Sequence, residues 1–299
     1  MAGEIGIVLA VVALLGLGIY PVLLKKVVNE LGEYTCLVFN YLVLIIFLAI
    51  TAVLTIRFKL PTDYVTAAII VGAIVGAVAI YIYYKALNTG NVSVVVVLAA
   101  TNVIWTVLLS YFLFDEKLPV TKYLAIAAIF IGAVLIAMEK IGLPKKFDEK
   151  HVLHFLKSDI WSKGAALALL VSFCWAFYNL VMKYNVQSIG PHKAMVYMES
   201  LVFFFLMLAF LTKPAKELVT MPKKEHLKWL LPSALLFTAG VLGMYFAMKY
   251  SPLSMVAPII SAGPAVAVIG AAILLKERVR IHQYLGIALA VAGIVFLSI

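Results

Sequence analysis

Ten apolar stretches, each close to the length of a membrane span, divide this chain from end to end. They cover 5–24, 34–56, 64–84, 92–114, 120–138, 162–182, 194–212, 229–248, 253–275 and 279–298. A hydrocarbon layer about 30 Å thick takes roughly 20 apolar residues in helix. Within it, only elements that satisfy their own backbone N–H and C=O groups can cross. The pattern therefore predicts an all-α integral membrane protein with ten transmembrane helices. Hydrophobic residues make up 65% of the chain, against roughly 45–50% in soluble domains, and a soluble fold has nowhere to put that surface. Charged residues fall in the breaks between runs, not once per turn as on an amphipathic surface helix. The first run, Ile5 to Leu24, ends at Lys25-Lys26 without a small-residue cleavage pattern, so it reads as a span and not as a cleavable signal.

The net charge of +10 is spread over the connections, with no basic patch interleaved with aromatics. It suits loops facing anionic lipid headgroups and gives no reason to expect nucleic acid as a partner. Cys36 and Cys174 lie inside apolar runs, where they act as small hydrophobes. The longest polar stretch, 139–163, holds Pro144, His151 and His154. The His pair has metal-ligand spacing but no third ligand nearby, so no metal and no cofactor is expected. The stretch reads as a linker (144–160) between a first unit, 1–143, and a second, 161–299.

Those two units repeat. Sliding 84–135 onto 245–296 at a constant offset of 161 pairs Tyr84 with Tyr245, Ser93 with Ser254, Glu116 with Glu277, Tyr123 with Tyr284 and Gly132 with Gly293. An offset of 158 pairs Gly6 with Gly164, Tyr20 with Tyr178, Lys25 with Lys183 and Gly32 with Gly190. Apolar composition alone does not align glutamates, tyrosines and glycines. Each unit carries five spans, an odd number, so the second must enter the membrane from the opposite side. The expectation is two inverted five-helix repeats, an arrangement in which substrate binds near the midplane between repeats.

With these features the chain resembles the drug/metabolite transporter superfamily, in particular its EamA-type ten-helix members. The resemblance is strongest over Trp175-Ala-Phe-Tyr-Asn-Leu-Val-Met-Lys183, over Gly263-Pro264 with Leu274-Leu275-Lys276-Glu277-Arg278, and over Phe114-Asp115-Glu116-Lys117-Leu118. Two positions depart from the family pattern: Val103 stands where a proline matching Pro264 is usual, and Leu17 where a tryptophan matching Trp175 is usual. The resemblance implies the scaffold and a transport role, not the substrate.

A solute crossing lipid needs a polar or aromatic lining at mid-depth, and intramembrane polar groups are costly unless they face a cavity or one another. The fourth span offers Asn102, Trp105 and Thr106. The sixth offers Ser172, Trp175 and Asn179 on one stripe, with Tyr178 beside it. With Tyr81 and Tyr84 of the third span and Tyr245 of the eighth, these can form an aromatic box that suits an amphipathic metabolite or an organic cation. Asn40 in the second span is a further ligand contact or a helix-to-helix hydrogen-bond partner. Pro21, Pro258 and Pro264 remove backbone donors and can bend their spans. Glu116 and Glu277 follow the fourth and ninth spans, where an acid favours the N-terminus of the next helix. Glu199 is a carboxylate well inside the seventh span. A bare charge there is expensive, so it must be protonated, hydrogen-bonded or wetted, and it is a candidate for cation binding or proton coupling.

These features predict a secondary transporter of a small organic metabolite, an amino acid or a related amphipathic solute, working in the cell membrane as a monomer by alternating access. A multidrug or organic-cation exporter is the alternative. The chain has no Gly-x-x-x-x-Gly-Lys-Ser/Thr stretch for ATP, and neither His-Glu-x-x-His nor Gly-x-Ser-x-Gly for an intramembrane enzyme. A channel or receptor is the less favoured reading, since a channel needs no such duplication and usually shows a pore-lining polar stripe. Seventeen Lys and Arg residues fall in the connections on one side of the spans and seven on the other. The positive-inside rule thereby places both termini outside, whereas the resemblance implies cytoplasmic termini. A single cysteine introduced in 139–163 decides between them. By the charge count it is labelled only from the cytoplasmic side, and labelling from outside intact cells overturns that orientation.

Overall fold

The computed structural model describes residues 2–55, 63–89, 95, 98–137, 163–210, 220–276 and 279–299, and the regular elements among them are all helical. In chain order they are α1 (Ala2–Leu24), α2 (Val28–Leu31), α3 (Glu33–Thr55), α4 (Asp63–Thr89), α5 (Asn102–Phe114) and α6 (Val120–Ala137). The second half contributes α7 (Lys163–Ile189), α8 (Pro191–Phe210), α9 (Lys224–Tyr250), α10 (Leu253–Ser261), α11 (Gly263–Leu274) and α12 (Ile281–Ser298). Eight helical stretches are long and apolar enough to cross a membrane, and two shorter apolar helices, Leu98–Phe114 and Val120–Ile136, stand where the fourth and fifth spans were expected. The linker 144–160 with its two histidines, and Glu277, lie outside the described residues.

Hydropathy misplaces several boundaries. Helix α4 runs on to Thr89 and α7 to Ile189, past the expected ends at 84 and 182. Polar residues do not end a helix when neighbours cover them, and Lys183 and Asn185 are both buried. The ninth span, expected as one helix over 253–275, is two. Pro258 sits inside α10, and Pro264 stands in the first turn of α11, where its missing donor costs nothing. Pro21 lies in the last turn of α1, and Pro232, which hydropathy gave no reason to single out, lies inside α9.

Left-handed backbone occurs at four positions among the described residues: Gly32 (φ 79°), Gly190 (φ 83°), Asp115 (φ 52°) and Lys276 (φ 57°). The first two turn the chain from α2 into α3 and from α7 into α8, a conformation that glycine adopts without steric cost. These four are two pairs separated by the sequence offsets, 158 for the glycines and 161 for Asp115 and Lys276.

Packing follows the same correspondence. Helix α1 packs along α9, and α7 packs along α4; α3 meets α9, and α8 meets α4; α1 meets α10 and α11, and α7 meets α5. The pairs α6 with α12, α3 with α8 and α5 with α10 complete the set. With lipid as apolar as the side chains, close backbone approach at small residues holds such helices together. A Cβ added to Gly16 of α1 would stand 2.8 Å from Gly240 Cα of α9. One added to Gly132 of α6 would stand 2.6 Å from the Gly286 carbonyl oxygen of α12, and one on Gly286 would meet the Gly132 carbonyl at 2.7 Å.

Gly132→Val should therefore force α6 and α12 apart and destabilise the protein by about 1–3 kcal/mol or more. Gly3→Ala, whose Cβ meets nothing within 4 Å, should be neutral. Thermal unfolding of both variants in detergent checks this, and equal midpoints would show that α6 and α12 are not packed backbone to backbone.

Candidate functional site

Inside the bundle one carboxyl group gathers hydroxyls from three other helices. Glu199 of α8 is 3% exposed. Its Oε1 accepts hydrogen bonds from the Tyr178 hydroxyl of α7 at 2.7 Å and from the Tyr245 hydroxyl of α9 at 2.8 Å. The two phenol oxygens lie 3.5 Å apart, and the Tyr41 hydroxyl of α3 faces the same carboxyl group. The cage is shaped by what surrounds it. A Cβ on Gly76 of α4 would stand 2.8 Å from the Tyr178 ring, so the glycine is what admits that ring. Tyr41 is fixed by Phe203, stacked at 6.0 Å, and by Phe237 at 5.3 Å, and Phe237 also meets Tyr20 edge-on at 5.3 Å.

One turn along α7, Trp175 packs against Tyr83 of α4 with ring centroids 5.0 Å apart. Asn179, on the Trp175 stripe, is half-buried, and its amide makes no hydrogen bond among the described residues. Ser172 bonds back to the Leu169 carbonyl at 2.8 Å. Tyr178, Tyr245, Trp175 and Asn179 thus belong to one region.

The other sequence candidates lie apart from it. Trp105 is 40% exposed, on the face of α5 that carries Ile104, Leu108 and Phe112, and meets Phe173 edge-on at 6.0 Å. A continuous apolar exposed stripe on a span faces hydrocarbon. Asn102 bonds back to the Ala99 carbonyl. Tyr81 lines a shallow apolar recess with Ile74, Val78 and Phe205. Asn40 is buried and accepts a hydrogen bond from Ser233 of α9 at 3.3 Å, so it ties helix to helix. Tyr84 lies in α4, and its side chain is outside the described set.

Sequence reasoning passed over Tyr41 and Lys183. The signal for Tyr41 was present: at offset 158 it is the counterpart of Glu199, and each is the ninth residue of its helix. The Lys183 ammonium donates to the Met248 carbonyl at 2.6 Å and the Ser251 carbonyl at 2.9 Å, covering the C-terminus of α9. Glu116 corrects the expectation that it serves the next span. Its carboxylate accepts the backbone N–H groups of Leu253 and Ser254, both at 2.8 Å, and so caps α10 instead. The Ser251 hydroxyl completes this junction by donating to the Gly3 carbonyl at 3.0 Å. Each charge meets the end of the helix dipole that favours it.

At the opposite side, His226 Nδ1 accepts the Lys223 N–H at 3.1 Å, so Nε2 carries the proton and donates to Glu30 at 2.9 Å. Trp229 lies there with Lys26 and Lys228 over its ring at 5.7 and 5.9 Å. Outside the spans, Asp115 at 2.8 Å raises the pKa of the Lys117 ammonium, an exposed pair of little energetic weight.

The family model of EamA-like transporters matches this chain twice, over 4–138 and over 162–299. The chain belongs to the EamA-like transporter family. This EamA-like protein is also 35% identical over 100 residues to an uncharacterised protein of Methanocaldococcus jannaschii, covering 33% of this chain and 72% of that one. A protein of known crystal structure, 13% identical, superposes with a TM-score of 0.73 over 97% of this chain and 95% of its own. At that identity the likeness concerns the fold. The EamA-like chain is thus a multi-pass membrane protein.

The junction gives a direct test. Lys183→Met keeps most of the side-chain volume and leaves the Met248 and Ser251 carbonyls without their donor. We expect a loss of about 1–3 kcal/mol in stability, read as a lower thermal midpoint in detergent. An unchanged midpoint would mean that water replaces the ammonium at no cost.

Proposed function

We propose that this protein is a secondary transporter that carries a small organic metabolite, an amino acid or a related amphipathic solute, across the cell membrane by alternating access. In this reading 1–143 and 161–299 are inverted repeats joined by the linker 144–160, and the protein works as a monomer. The observation that carries it is the exchange of helix partners under the sequence offsets: α1 on α9 answers to α7 on α4, and α3 on α9 to α8 on α4. Two halves that present equivalent faces to each other have two equivalent ways of packing, each closing one side of the bilayer. No nucleotide-binding loop is needed, because a solute or ion gradient supplies the energy.

The site for the solute lies along α7, where Trp175, Asn179 and Tyr83 combine aromatic faces with an unengaged amide. Such a lining suits a solute with a flat or apolar body and one polar end. Export of organic cations is the second reading, favoured by the carboxyl of Glu199 one turn from those rings.

A screen of the purified protein against amino acids, nucleobases and organic cations by thermal shift identifies a ligand, and that ligand is then followed in proteoliposomes. A carrier gives saturable uptake that is accelerated by unlabelled solute inside, whereas uptake that never saturates and ignores the inner solute would make it a channel. Trp175→Ala should weaken apparent affinity about five- to thirtyfold, equivalent to roughly 1–2 kcal/mol of stacking or cation–π attraction. Trp105→Ala, on the lipid-facing stripe, should leave it unchanged. Equal effects of the two substitutions would remove the α7 region as the site.

A further inference from the structure

We propose that Glu199 is a proton-exchange site whose protonation is tied to which side of the transporter is open. The inference rests on the alternating-access reading, but its observations are separate from the solute site. Glu199 of α8 and Tyr41 of α3 each lie nine residues into helices that begin just after Gly32 and Gly190, the two left-handed glycines. They face each other across the contact between α3 and α8. The pair therefore sits where the axis relating the two halves passes, and only one of its members ionises readily.

The groups facing the carboxyl come from every helix packed on α8. Tyr41 comes from α3, Tyr178 from α7 and Tyr245 from α9. Helix α4 presents Gly72 against Met198 and Gly76 against Val202, on either side of Glu199. Among the described residues no Lys, Arg or His pairs with the carboxyl; Lys183, farther along α7, is committed to the α9 carbonyls. With the phenols filling its surroundings and 3% of the residue exposed, what this carboxyl exchanges in the present state is no larger than a proton.

Exchange of the two halves changes its partners. Each residue then takes the surroundings its counterpart has now. Tyr41 now meets Phe203 and Phe237, whose counterparts at offsets 158 and 161 are Ile45 and Gly76. Glu199 would thus keep Tyr41 and exchange its direct contacts with Tyr178 and Tyr245 for an aliphatic side chain and a glycine, while Tyr20 and Tyr84, the counterparts of those two phenols, would turn to Tyr41 instead. Three phenol donors suit a carboxylate, and one donor among apolar neighbours suits the neutral acid. The O–H bond of the acid breaks as the phenols close on it, with the proton passing to water on the open side. It re-forms, with a proton from the other side, as they leave. Tyr178 and Tyr245 are positioning residues in this scheme.

The test needs no solute. The full chain in lipid nanodiscs is titrated by infrared difference spectroscopy, and hydrogen exchange of the 248–254 junction is followed over the same pH range. We expect a protonated-carboxyl band that is absent in Glu199→Gln, which keeps shape and hydrogen bonding, with thermal unfolding confirming that this variant is folded. The double variant Tyr178→Phe, Tyr245→Phe should move the midpoint of the band by on the order of one pH unit, tenfold in proton affinity. Junction exchange should change with pH at the wild-type midpoint and lose that step in Glu199→Gln. A band that survives in Glu199→Gln, a midpoint indifferent to both phenols, or an exchange step that remains in Glu199→Gln overturns the proposal. None of these results touches the transport reading, which fails only if counterflow is absent.

Discussion

A bilayer core offers a polypeptide no hydrogen-bonding solvent, and the organisation of this protein follows from that. Regular helices meet the condition by themselves. Where a span stops or breaks inside the protein, side chains from other spans must supply the missing partners. The turn from α9 to α10 is such a place. An ammonium from α7 takes the last carbonyls of α9, a carboxylate from beyond α5 takes the first N–H groups of α10, and a serine hydroxyl reaches the start of α1. Three distant parts of the chain thereby converge on one turn, and charges that look like ordinary loop residues act as parts of the framework.

The same scarcity of partners explains the centre. Removing a carboxyl group from water is tolerable when its oxygens are fully engaged, and phenols are well suited to the task because each adds a large apolar ring to the packing along with one donor. Glycine is the complementary element. Gly76 leaves the space that Tyr178 fills, while at the corresponding place in the other half Phe237 stands against Tyr20. A bulky ring in one half and a glycine in the other make two related halves unequal at the point where they meet, so a nearly symmetric scaffold can hold a single ionisable group.

The spans, the doubling of the chain and the exceptional position of Glu199 were legible in the sequence. Run length against bilayer thickness, a constant offset, and the rarity of acids in apolar runs are one-dimensional properties, and each has a physical cause that operates locally. The glycines at 32 and 190 were paired by the offset alone, and their left-handed backbone came from the structure. The cage around Glu199 was half legible. Tyr178 and Tyr245 stood out as tyrosines in spans, while Tyr41, next to Asn40 in the second span, was not singled out.

Only the tertiary structure decided which faces turn inward. In water, the apolar side of a helix marks its core. In lipid, the side toward neighbours and the side toward hydrocarbon are both apolar, and periodicity says little about direction. Trp105 and Trp175 are therefore equivalent as sequence, yet one stands on the exposed stripe of α5 and the other against Tyr83. Glu116 likewise could be placed at a helix end from its sequence, but not at which helix, because its partners lie 137 and 138 residues away and are brought to it by the packing of α5 on α10. Sequence determined what must be buried or paired, since those costs belong to single residues. Structure decided the partners, since a partner is a property of how helices meet.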